Sequence, residues 1–485
     1  MMRAGRLGLL ACCWVGAALR FRGLFANSFH VDEALFAAWA RQIAVWRDPL
    51  LAMQPVDKPP LLFYLQALFY PLLVPVEWPA RLPSLIASLL LIPLTAQLAR
   101  RLTGDRAAAL VAAAIVAVAP LTVQFSATAF SDPLLTFWLT AALTCAAGRP
   151  ASRAGRSGPL LAGLFFGLAL ATKYQAALFL PLLLGLGWLR GWRRGDWARG
   201  LMGGLIALGP VIVWLWARAA GEGVIARQWL NIGGIRPARS WELWPRMNQA
   251  AALWRVALGL PLIAAGLGAG LAWLLLRRSR SPLPEVWLVA LFVAGYLLIH
   301  WLWAVPIWDR YLLPVMPLVA ILIGRGVSAA LSPGDRRPAR RYALWGLVVA
   351  LALAHLPIAA AARAGRYPIG GRPDADGGAA AAARLLEDAP YGTVLYDHWY
   401  SWQWRYHLFD GRVYVSWFPD AEALLGDLAV FAGSGPARYI ALPASPAARP
   451  VARRLAQHGF LLEPLAGQDG RAAMTIYRIV PGAAE

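Results

Sequence analysis

The sequence predicts a polytopic α-helical membrane protein with a small α/β domain at its C-terminal end. Hydrophobic residues make up 59% of the 485 positions and charged residues only 15%, whereas soluble domains carry about 25% charge. Long apolar runs recur until about residue 362, and the chain beyond them is mixed in polarity. We therefore expect lipid to surround most of the chain.

Eleven apolar segments are candidate membrane spans, because a spanning helix needs about 20 mostly apolar residues. They are residues 6–24, 79–100, 106–123, 132–148, 158–172, 174–190, 200–218, 253–276, 284–304, 310–331 and 341–362. The first segment follows Arg3 and Arg6 as in a signal peptide, but no small-residue cleavage site comes after it, so we expect a retained helix. The two segments that meet at Lys173 are short and form either a tight hairpin or one broken helix.

Arginine-rich loops predict the orientation of the chain. The basic groups are Arg3 and Arg6; Arg100, Arg101 and Arg106; Arg149, Arg153 and Arg156; Arg190, Arg193, Arg194 and Arg199; Arg277, Arg278 and Arg280; and Arg336, Arg337, Arg340 and Arg341. With the spans above they all fall on one side, which the positive-inside rule assigns to the cytoplasm together with the N-terminus. This bias explains the net charge of +21, so we expect a multi-pass protein of the cytoplasmic (inner) membrane and no nucleic-acid partner.

The opposite side receives loops 25–78, 124–131, 219–252 and 305–309, and everything after about residue 363. In the first of these loops, segments Val31–Trp46 and 58–74 are amphipathic and predict interfacial helices. Two prolines follow Lys58, which fits a helix start with free amide donors beside the lysine.

Three domains are predicted. Residues 1–362 form the transmembrane domain, residues 363–384 form a linker rich in Gly, Ala and Pro, and residues 385–485 form an extracytoplasmic α/β domain. The strand-like pieces of the last domain are Gly392–Tyr396, Arg412–Ser416, Arg438–Leu442 and Met474–Ile479, and Ala447–His458 is helix-like.

Several of the 25 acidic residues mark the outer side. They are Asp32 and Glu33 after the first span, Asp57 beside Lys58, Asp132 at the mouth of the fourth span, and Asp309 beside Arg310. Such carboxylates can activate a hydroxyl as a general base or hold a divalent cation. The alternative for each is that wet outer loops simply tolerate acidic residues. His30, two residues before Asp32, is a candidate supporting residue.

Candidate phosphate ligands lie on the same side. Only two of the 46 basic residues are lysines, Lys58 and Lys173, and both map to the outer side. A compact ammonium binds phosphate as a point charge, although a lysine at a helix end can also snorkel. Arg310 and Tyr311 open the tenth span, where they could bind a phosphate oxygen or serve as interfacial anchors.

Other sequence signals exclude several classes of site. Cys12, Cys13 and Cys145 all lie inside apolar runs without metal-ligand spacing, so we expect neither a disulfide nor a zinc–thiolate site. The chain has no Walker loop, no GxGxxG after a strand and no CxxC. We therefore expect no nucleotide cofactor.

At these residues the sequence resembles the GT-C superfamily of integral-membrane glycosyltransferases. It is most similar to the branch of the protein O-mannosyltransferases and the aminoarabinose transferase of lipid A. Asp32-Glu33 resembles the acidic pair of that branch, Asp57-Lys58-Pro59-Pro60-Leu61 resembles its Glu-Lys-Pro-Pro-Leu segment, and Arg310-Tyr311-Leu312-Leu313-Pro314 is similar to its Arg-Tyr-x-x-Pro element. Asp132 and Lys173 stand where relatives carry an acid and a lysine, whereas Leu35 replaces an arginine of the aminoarabinose branch.

The resemblance implies an inverting transfer of a sugar from a polyprenyl-phosphate donor to a lipid, glycan or protein acceptor. Asp32 would activate the acceptor with help from Glu33, and Asp132 would orient the acceptor or join a divalent-cation site. Lys58, Arg310, Lys173 and Tyr311 would stabilise the departing phosphate. Two alternatives remain: an oligosaccharyltransferase-like GT-C enzyme with a pyrophosphate donor, and a transporter or lipid flippase, which would carry its charges near the midplane.

Overall fold

The computed structural model describes residues 3–70, 76–148, 157–218, 236–275, 283–330, 338–409, 412–431, 435–466 and 473–482. Contacts divide the chain into two compact units. The first combines Met1–Ala26 with Gln42–Gly371 and is helical, and the second combines Asn27–Arg41 with Arg372–Glu485 and contains a sheet. The predicted fold class, a helical membrane protein with a small C-terminal α/β part, is confirmed.

The described residues before the sheet are mostly helical. They are α1 Arg3–Ala26, α2 Val31–Ala44, α3 Leu61–Ala67, α4 Glu77–Ala80, α5 Leu82–Thr103, α6 Arg106–Val118, α7 Pro120–Gln124, α8 Asp132–Ala146, α9 Gly158–Thr172, α10 Leu180–Leu189, α11 Arg194–Ala217, α12 Ser240–Leu258, α13 Leu260–Leu275, α14 Pro284–Leu302, α15 Met316–Ala330 and α16 Pro338–Arg363. Short 3-10 helices cover Phe125–Ala127, Tyr174–Phe179 and Asp309–Val315.

Five helices among the described residues are long and apolar enough to cross a membrane. They are Gly5–Ala26, Leu82–Thr103, Arg194–Ala217, Pro284–Leu302 and Asp309–Ala330, and two bent helix pairs raise the number to seven. Shorter apolar helices cover Gly158–Thr172, Tyr174–Leu189 and Val349–Arg363. The count of eleven spans stays a prediction. The basic groups at 149–156 and 277–280 and half of loop 219–252, residues 219–235, lie outside the described residues.

Two of the predicted spans are bent, and each bend has a local cause. Helices α12 and α13 meet at 99° around Gly259, whose φ of 76° is a left-handed conformation that glycine adopts without strain. The candidate span 253–276 is therefore broken at Gly259. Helices α6 and α7 meet at 58° before Pro120, which removes a helical N–H. The buried Arg20 side chain donates to the carbonyl groups of Val116 and Ala117 at this bend, at 2.7 and 2.8 Å.

Small residues bring helices α9 and α11 together. A Cβ atom added to Gly163 or Gly203 would overlap the backbone of the facing helix, at Gly200 and Leu160 respectively. Such close backbone contact is typical of packing between helices in membranes. Water supplies no hydrophobic driving force there, so the helices associate through the close van der Waals contact that small residues permit. The packing fixes α9, and with it the position of Lys173 at its C-terminal end.

The second unit contains a five-stranded mixed sheet. Its strands are β1 Thr393–Asp397, β2 Val413–Trp417, β3 Arg438–Pro443, β4 Phe460–Pro464 and β5 Met474–Pro481, in the order β2-β1-β3-β5-β4. Strands β1, β2 and β3 are parallel, and β5 is antiparallel to both β3 and β4. The four strand-like pieces of the sequence correspond to β1, β2, β3 and β5, and the helix-like stretch Ala447–His458 corresponds to the helix Arg449–Gln457.

Helices cover both faces of this sheet. They are α17 Ala379–Arg384, α18 Ser401–His407, α19 Ala421–Phe431 and α20 Arg449–Gln457. Leu395 belongs to the core that includes α17 and α18, and its neighbour Tyr396 belongs to the core that includes α19 and α20. Successive strand residues point to opposite faces, so both faces are packed. Helix α17 lies within residues 363–384, so that segment is partly helical.

Candidate functional site

Lys173 lies where helical structure stops between α9 and the 3-10 helix Tyr174–Phe179. Its φ and ψ of −161° and 134° are extended, although its N–H still donates to the carbonyl group of Ala169 at 2.9 Å. The sequence predicted a discontinuity at this lysine, and the structure places the break at Lys173 itself.

The Lys173 ammonium group forms a buried ion pair with Asp132. The Nζ–Oδ1 distance is 2.6 Å, and the side chains are 14% and 1% exposed. Asp132 is the first residue of α8, where a carboxylate also interacts favourably with the helix dipole. The Tyr311 ring faces the ammonium group, with its centroid 4.5 Å from Nζ. Asp132 and Tyr311 together hold the lysine charge in place.

Arg310 lies next to this pair. Its guanidinium carbon is 4.8 Å from the centre of the Phe130 ring and 5.3 Å from that of Trp308. Stacking on two aromatic faces restricts the guanidinium group, whose planar arrangement of N–H donors suits an oxyanion. The backbone N–H of Arg310 donates to Asp309 Oδ1 at 2.7 Å, and Asp309 Oδ2 accepts from the Gly370 N–H at 2.9 Å.

Lys58 belongs to the same group of charges. It pairs with Asp57, and its side chain is 27% exposed. Lys58 and Arg310 both lie close enough to Lys173 to repel its ammonium group electrostatically. Asp57 likewise interacts electrostatically with Tyr174. The predicted helix after the prolines is present as α3, which begins at Leu61. The first unit therefore brings together six predicted site residues from four distant segments: Asp57, Lys58, Asp132, Lys173, Arg310 and Tyr311.

The remaining predicted residues, His30, Asp32 and Glu33, belong to the second unit. Glu33 is 1% exposed, and its Oε2 accepts from the backbone N–H of His30 at 3.0 Å, as a capping carboxylate does at the start of a helix. The side chain of Asp32 is 34% exposed, and its Oδ2 lies 4.0 Å from His30 Nδ1. Of this acidic pair, Asp32 is the more accessible carboxylate.

The predicted carboxylates do not form a metal centre in the part of the chain that the structure describes. That part contains no group of three His, Cys, Asp or Glu side chains that could hold an ion. Asp132 and Asp57 each face a lysine ammonium group, which competes with a cation for the same oxygens. Asp132 and Asp57 therefore do not fit a divalent-cation site.

Two residues beside the site were missed by the sequence analysis. Tyr296 on α14 donates its hydroxyl hydrogen to the Tyr311 carbonyl group at 2.7 Å, and Gln175 Nε2 approaches the same carbonyl oxygen at 3.4 Å. Gln175 also donates to the Tyr296 hydroxyl group. The position of Gln175, two residues after Lys173, could have suggested that it lies at the site. Nothing in the sequence pattern of α14 distinguishes Tyr296 from an interfacial aromatic residue.

Part of the chain matches a known protein family. A sequence model of the family described as dolichyl-phosphate-mannose-protein mannosyltransferase matches residues 57–216, about a third of the chain. The matched segment includes Asp57, Lys58, Asp132 and Lys173. No curated protein matches the sequence of the chain.

Among solved structures, ArnT from Cupriavidus metallidurans in the apo state matches with a TM-score of 0.67 and 16% identity, over 98% of both chains. ArnT bound to undecaprenyl phosphate gives the same TM-score and identity, over 99% of this chain and 98% of that one. The chain has the fold of ArnT. The Archaeoglobus fulgidus oligosaccharyltransferase tethered to an acceptor peptide matches with a TM-score of 0.58 and 12% identity, over 91% of this chain and 69% of that one.

These matches confirm the predicted resemblance to the GT-C superfamily, and the ArnT match extends over both units of the chain. At identities of 16% and 12% the structural likeness establishes the fold. The roles of individual residues therefore rest on the geometry described above.

Proposed function

We propose that the chain is an inverting glycosyltransferase that moves a sugar from a polyprenyl-phosphate donor to a lipid, glycan or protein acceptor at the outer face of the cytoplasmic membrane. The family match and the fold both indicate a glycosyltransferase of the GT-C type. The observation that carries the proposal is the group formed by Lys58, Lys173 and Arg310, whose charges interact although the residues lie in distant parts of the sequence. Three cations that converge among apolar helices suit a lipid phosphate.

The reaction needs those cations where negative charge develops. An acceptor oxygen attacks the anomeric carbon, a new glycosidic bond forms, and the bond from that carbon to the phosphate oxygen breaks. The lipid phosphate leaves with the electron pair and gains negative charge. Lys58, Lys173 and Arg310 stabilise this charge most strongly in the transition state, which accelerates the chemical step. Tyr311 contributes by holding Lys173 through its ring.

The acceptor must lose a proton, and Asp32 is the proposed general base. Its assignment comes from the sequence resemblance. The higher exposure of Asp32 supports it over Glu33, whose carboxylate already accepts from the backbone N–H of His30. Glu33 and His30 then shape the start of α2, on which Asp32 lies in the first turn. Asp132 acts as the counter-ion of Lys173, because its oxygen accepts a hydrogen bond from the ammonium group.

No specific observation supports either alternative function. The likeness to the oligosaccharyltransferase concerns the fold. No feature of the described residues favours a transporter.

The proposed topology has the N-terminus in the cytoplasm and the second unit outside. Labelling of a cysteine placed at Ser445, from each side of the membrane, would test this topology.

The transfer itself is tested with purified protein and synthetic polyprenyl-phosphate sugars, by mass spectrometry of the products formed on envelope lipids, glycans and proteins. Asp32→Asn should reduce turnover by about 10²–10⁴-fold, because an amide cannot accept the proton. The matched control is Asp374→Asn, since that carboxylate is 68% exposed in a surface pair with Arg372. Normal turnover of Asp32→Asn would assign the base elsewhere, and no transfer from any polyprenyl-phosphate donor would refute the proposed function.

The phosphate ligands are tested at Lys58. Lys58→Ala should weaken donor binding and slow the chemical step together, by about 10²-fold in turnover, because the phosphate gains charge as it leaves. Lys58→Arg should restore only part of this loss, since a planar guanidinium group cannot reproduce a compact ammonium. A fully active Lys58→Ala enzyme would show that this lysine is an interfacial residue.

A further inference from the structure

The carbonyl group of Tyr311 is the point at which three elements of the first unit meet. Tyr296 donates to it from α14 at 2.7 Å, and Gln175 approaches it from the 3-10 helix after Lys173 at 3.4 Å. Gln175 also donates to the Tyr296 hydroxyl group, so amide, hydroxyl and carbonyl form a chain of hydrogen bonds. The carbonyl belongs to the residue whose ring faces Lys173.

The sequence explains why this carbonyl group takes side-chain partners. Tyr311 lies in the 3-10 helix Asp309–Val315, in which a carbonyl group normally accepts from the N–H three residues later. That residue is Pro314, which has no N–H. The proline therefore denies Tyr311 its usual 3-10 partner, and a buried carbonyl group without a partner is costly. Tyr296 and Gln175 supply the donors.

The hydroxyl group of Tyr296 is needed for these hydrogen bonds and not for the packing of the ring. Tyr296 is 2% exposed, and its ring packs against Phe179 and Phe292 with centroid distances of 5.7 and 6.2 Å. A phenylalanine ring would satisfy this packing equally well. A buried hydroxyl group is retained at low cost only where it has hydrogen-bond partners, and here the partners are Gln175 and the Tyr311 carbonyl group.

We propose that Tyr296 and Gln175 are positioning residues, which fix the backbone at Tyr311 and thereby the placement of the Tyr311 ring against Lys173 and of the neighbouring Arg310. This inference rests on the proposed function, in which Lys173 and Arg310 stabilise the departing phosphate. A displaced backbone would move one cation and the ring that holds another. Small displacements of catalytic groups have large effects on rate, because stabilisation depends on preorganised geometry.

The decisive variant is Tyr296→Phe, which removes one oxygen and keeps the ring. We expect turnover to fall by about 10-fold, with the KM for the acceptor unchanged, because the cations contribute mainly in the transition state. The matched control is Tyr64→Phe, since the Tyr64 hydroxyl group also donates to a backbone carbonyl group at 2.7 Å, that of Pro49. The two variants should unfold at similar temperatures, and only Tyr296→Phe should lose turnover.

A second variant, Gln175→Leu, separates positioning from folding. Because both side chains act through one carbonyl group, the loss of turnover in Tyr296→Phe/Gln175→Leu should be smaller than the product of the two single losses. Equal turnover of Tyr296→Phe and wild type would overturn the inference and leave the proposed function intact. A loss of turnover that follows the unfolding temperature in all variants would also overturn it. Absence of transfer in the wild type would instead refute the proposed function.

Discussion

Asp132 shows how a pairing partner decides what a residue can do. The sequence predicted a carboxylate that orients the acceptor or binds a cation, whereas the structure pairs it with Lys173 at 2.6 Å and leaves it 1% exposed. A buried carboxylate committed to an ammonium group is poorly placed to accept a proton. Removing one member of such a pair costs roughly 3–5 kcal/mol, because an uncompensated charge remains buried. We therefore expect Asp132 to act through Lys173.

A pair of variants tests this role of Asp132. Asp132→Asn should lower both the unfolding temperature and turnover, because Lys173 loses its counter-charge. Lys173→Met should lower turnover, and Asp132→Asn/Lys173→Met should turn over no more slowly than Lys173→Met alone. Steady-state kinetics and thermal unfolding in detergent provide the two readouts. If the double variant were far slower than Lys173→Met, Asp132 would have a function of its own in the reaction.

His407 predicts a pH dependence of stability in the second unit. Burial, with the charges of Arg41 and Arg384, lowers the pKa of His407 to about 4, although Asp376 acts in the opposite direction. Its pKa in the unfolded chain is about 6.5. The unfolded chain thus binds more protons between these values, so stability should decrease as the pH falls from about 6.5 to about 4, by roughly 3 kcal/mol in total.

The variant His407→Gln isolates that contribution. It stays neutral throughout the range, so its unfolding temperature should depend less on pH than that of the wild type between pH 6.5 and 4. The difference between the two proteins removes the effects of other titrating groups, including Asp397, whose pKa is raised by burial. Parallel pH profiles of the two proteins would show that His407 titrates normally in the folded state.

At the scale of the element, local sequence signals predicted helices well and their breaks less well. The prolines after Lys58 marked the start of α3 at Leu61, and the apolar run 158–172 coincides with α9. The bend at Gly259 was missed, because apolar periodicity continues across it and a single glycine is compatible with a helix. The role of Tyr296 was missed because it depends on a carbonyl group that only the fold brings near.

Asp309 links two elements, and its loss should affect both. One oxygen accepts from the Arg310 N–H at 2.7 Å and the other from the Gly370 N–H at 2.9 Å, so the carboxylate joins the 3-10 helix to the segment after α16. Gln124 holds the same segment by donating to the carbonyl groups of Ile369 and Gly370, each at 3.0 Å. Asp309→Ala should therefore destabilise the protein by about 1–3 kcal/mol and reduce turnover.

Asp309→Asn should fall between Asp309→Ala and wild type, since an amide retains one acceptor oxygen and loses the other. The control is Asp374→Ala, because an exposed ion pair contributes only about 0–1 kcal/mol. Thermal unfolding and turnover are measured for all three variants. If Asp309→Ala behaved like Asp374→Ala in both measurements, the link between the two segments would be unimportant.

At the scale of the whole molecule, the division of the chain differs from a simple N-terminal and C-terminal partition. Residues Asn27–Arg41, which include Asp32, cluster with the sheet unit more than 300 residues away in sequence. Arg41 donates to the Tyr406 carbonyl group at 2.7 Å, and Phe29 packs edge-on against the Tyr406 ring at 4.9 Å. Local periodicity cannot reveal such long-range contacts. The boundaries 1–362, 363–384 and 385–485 remain predictions about which parts of the chain fold independently.

These contacts give a physical reason for the effect of removing the C-terminal part. A chain that ends after Gly371 keeps Lys58, Lys173 and Arg310 but loses the residues that hold Phe29 and Arg41. We expect it to bind polyprenyl phosphate nearly as tightly as the full chain. Transfer to the acceptor should be lost, because the segment that carries Asp32 no longer has its partners.

A point variant of the full chain guards against misfolding of the shortened one. Arg41→Ala removes the bond to the Tyr406 carbonyl group and the stacking of the guanidinium group 4.2 Å from the centre of the Phe409 ring. It should reduce transfer while the affinity for polyprenyl phosphate, measured by titration calorimetry in detergent, stays within about 2-fold of the wild type. Unchanged transfer in both proteins would show that Asp32 acts independently of the sheet unit. Lost phosphate affinity in Arg41→Ala would show that the second unit contributes to donor binding as well.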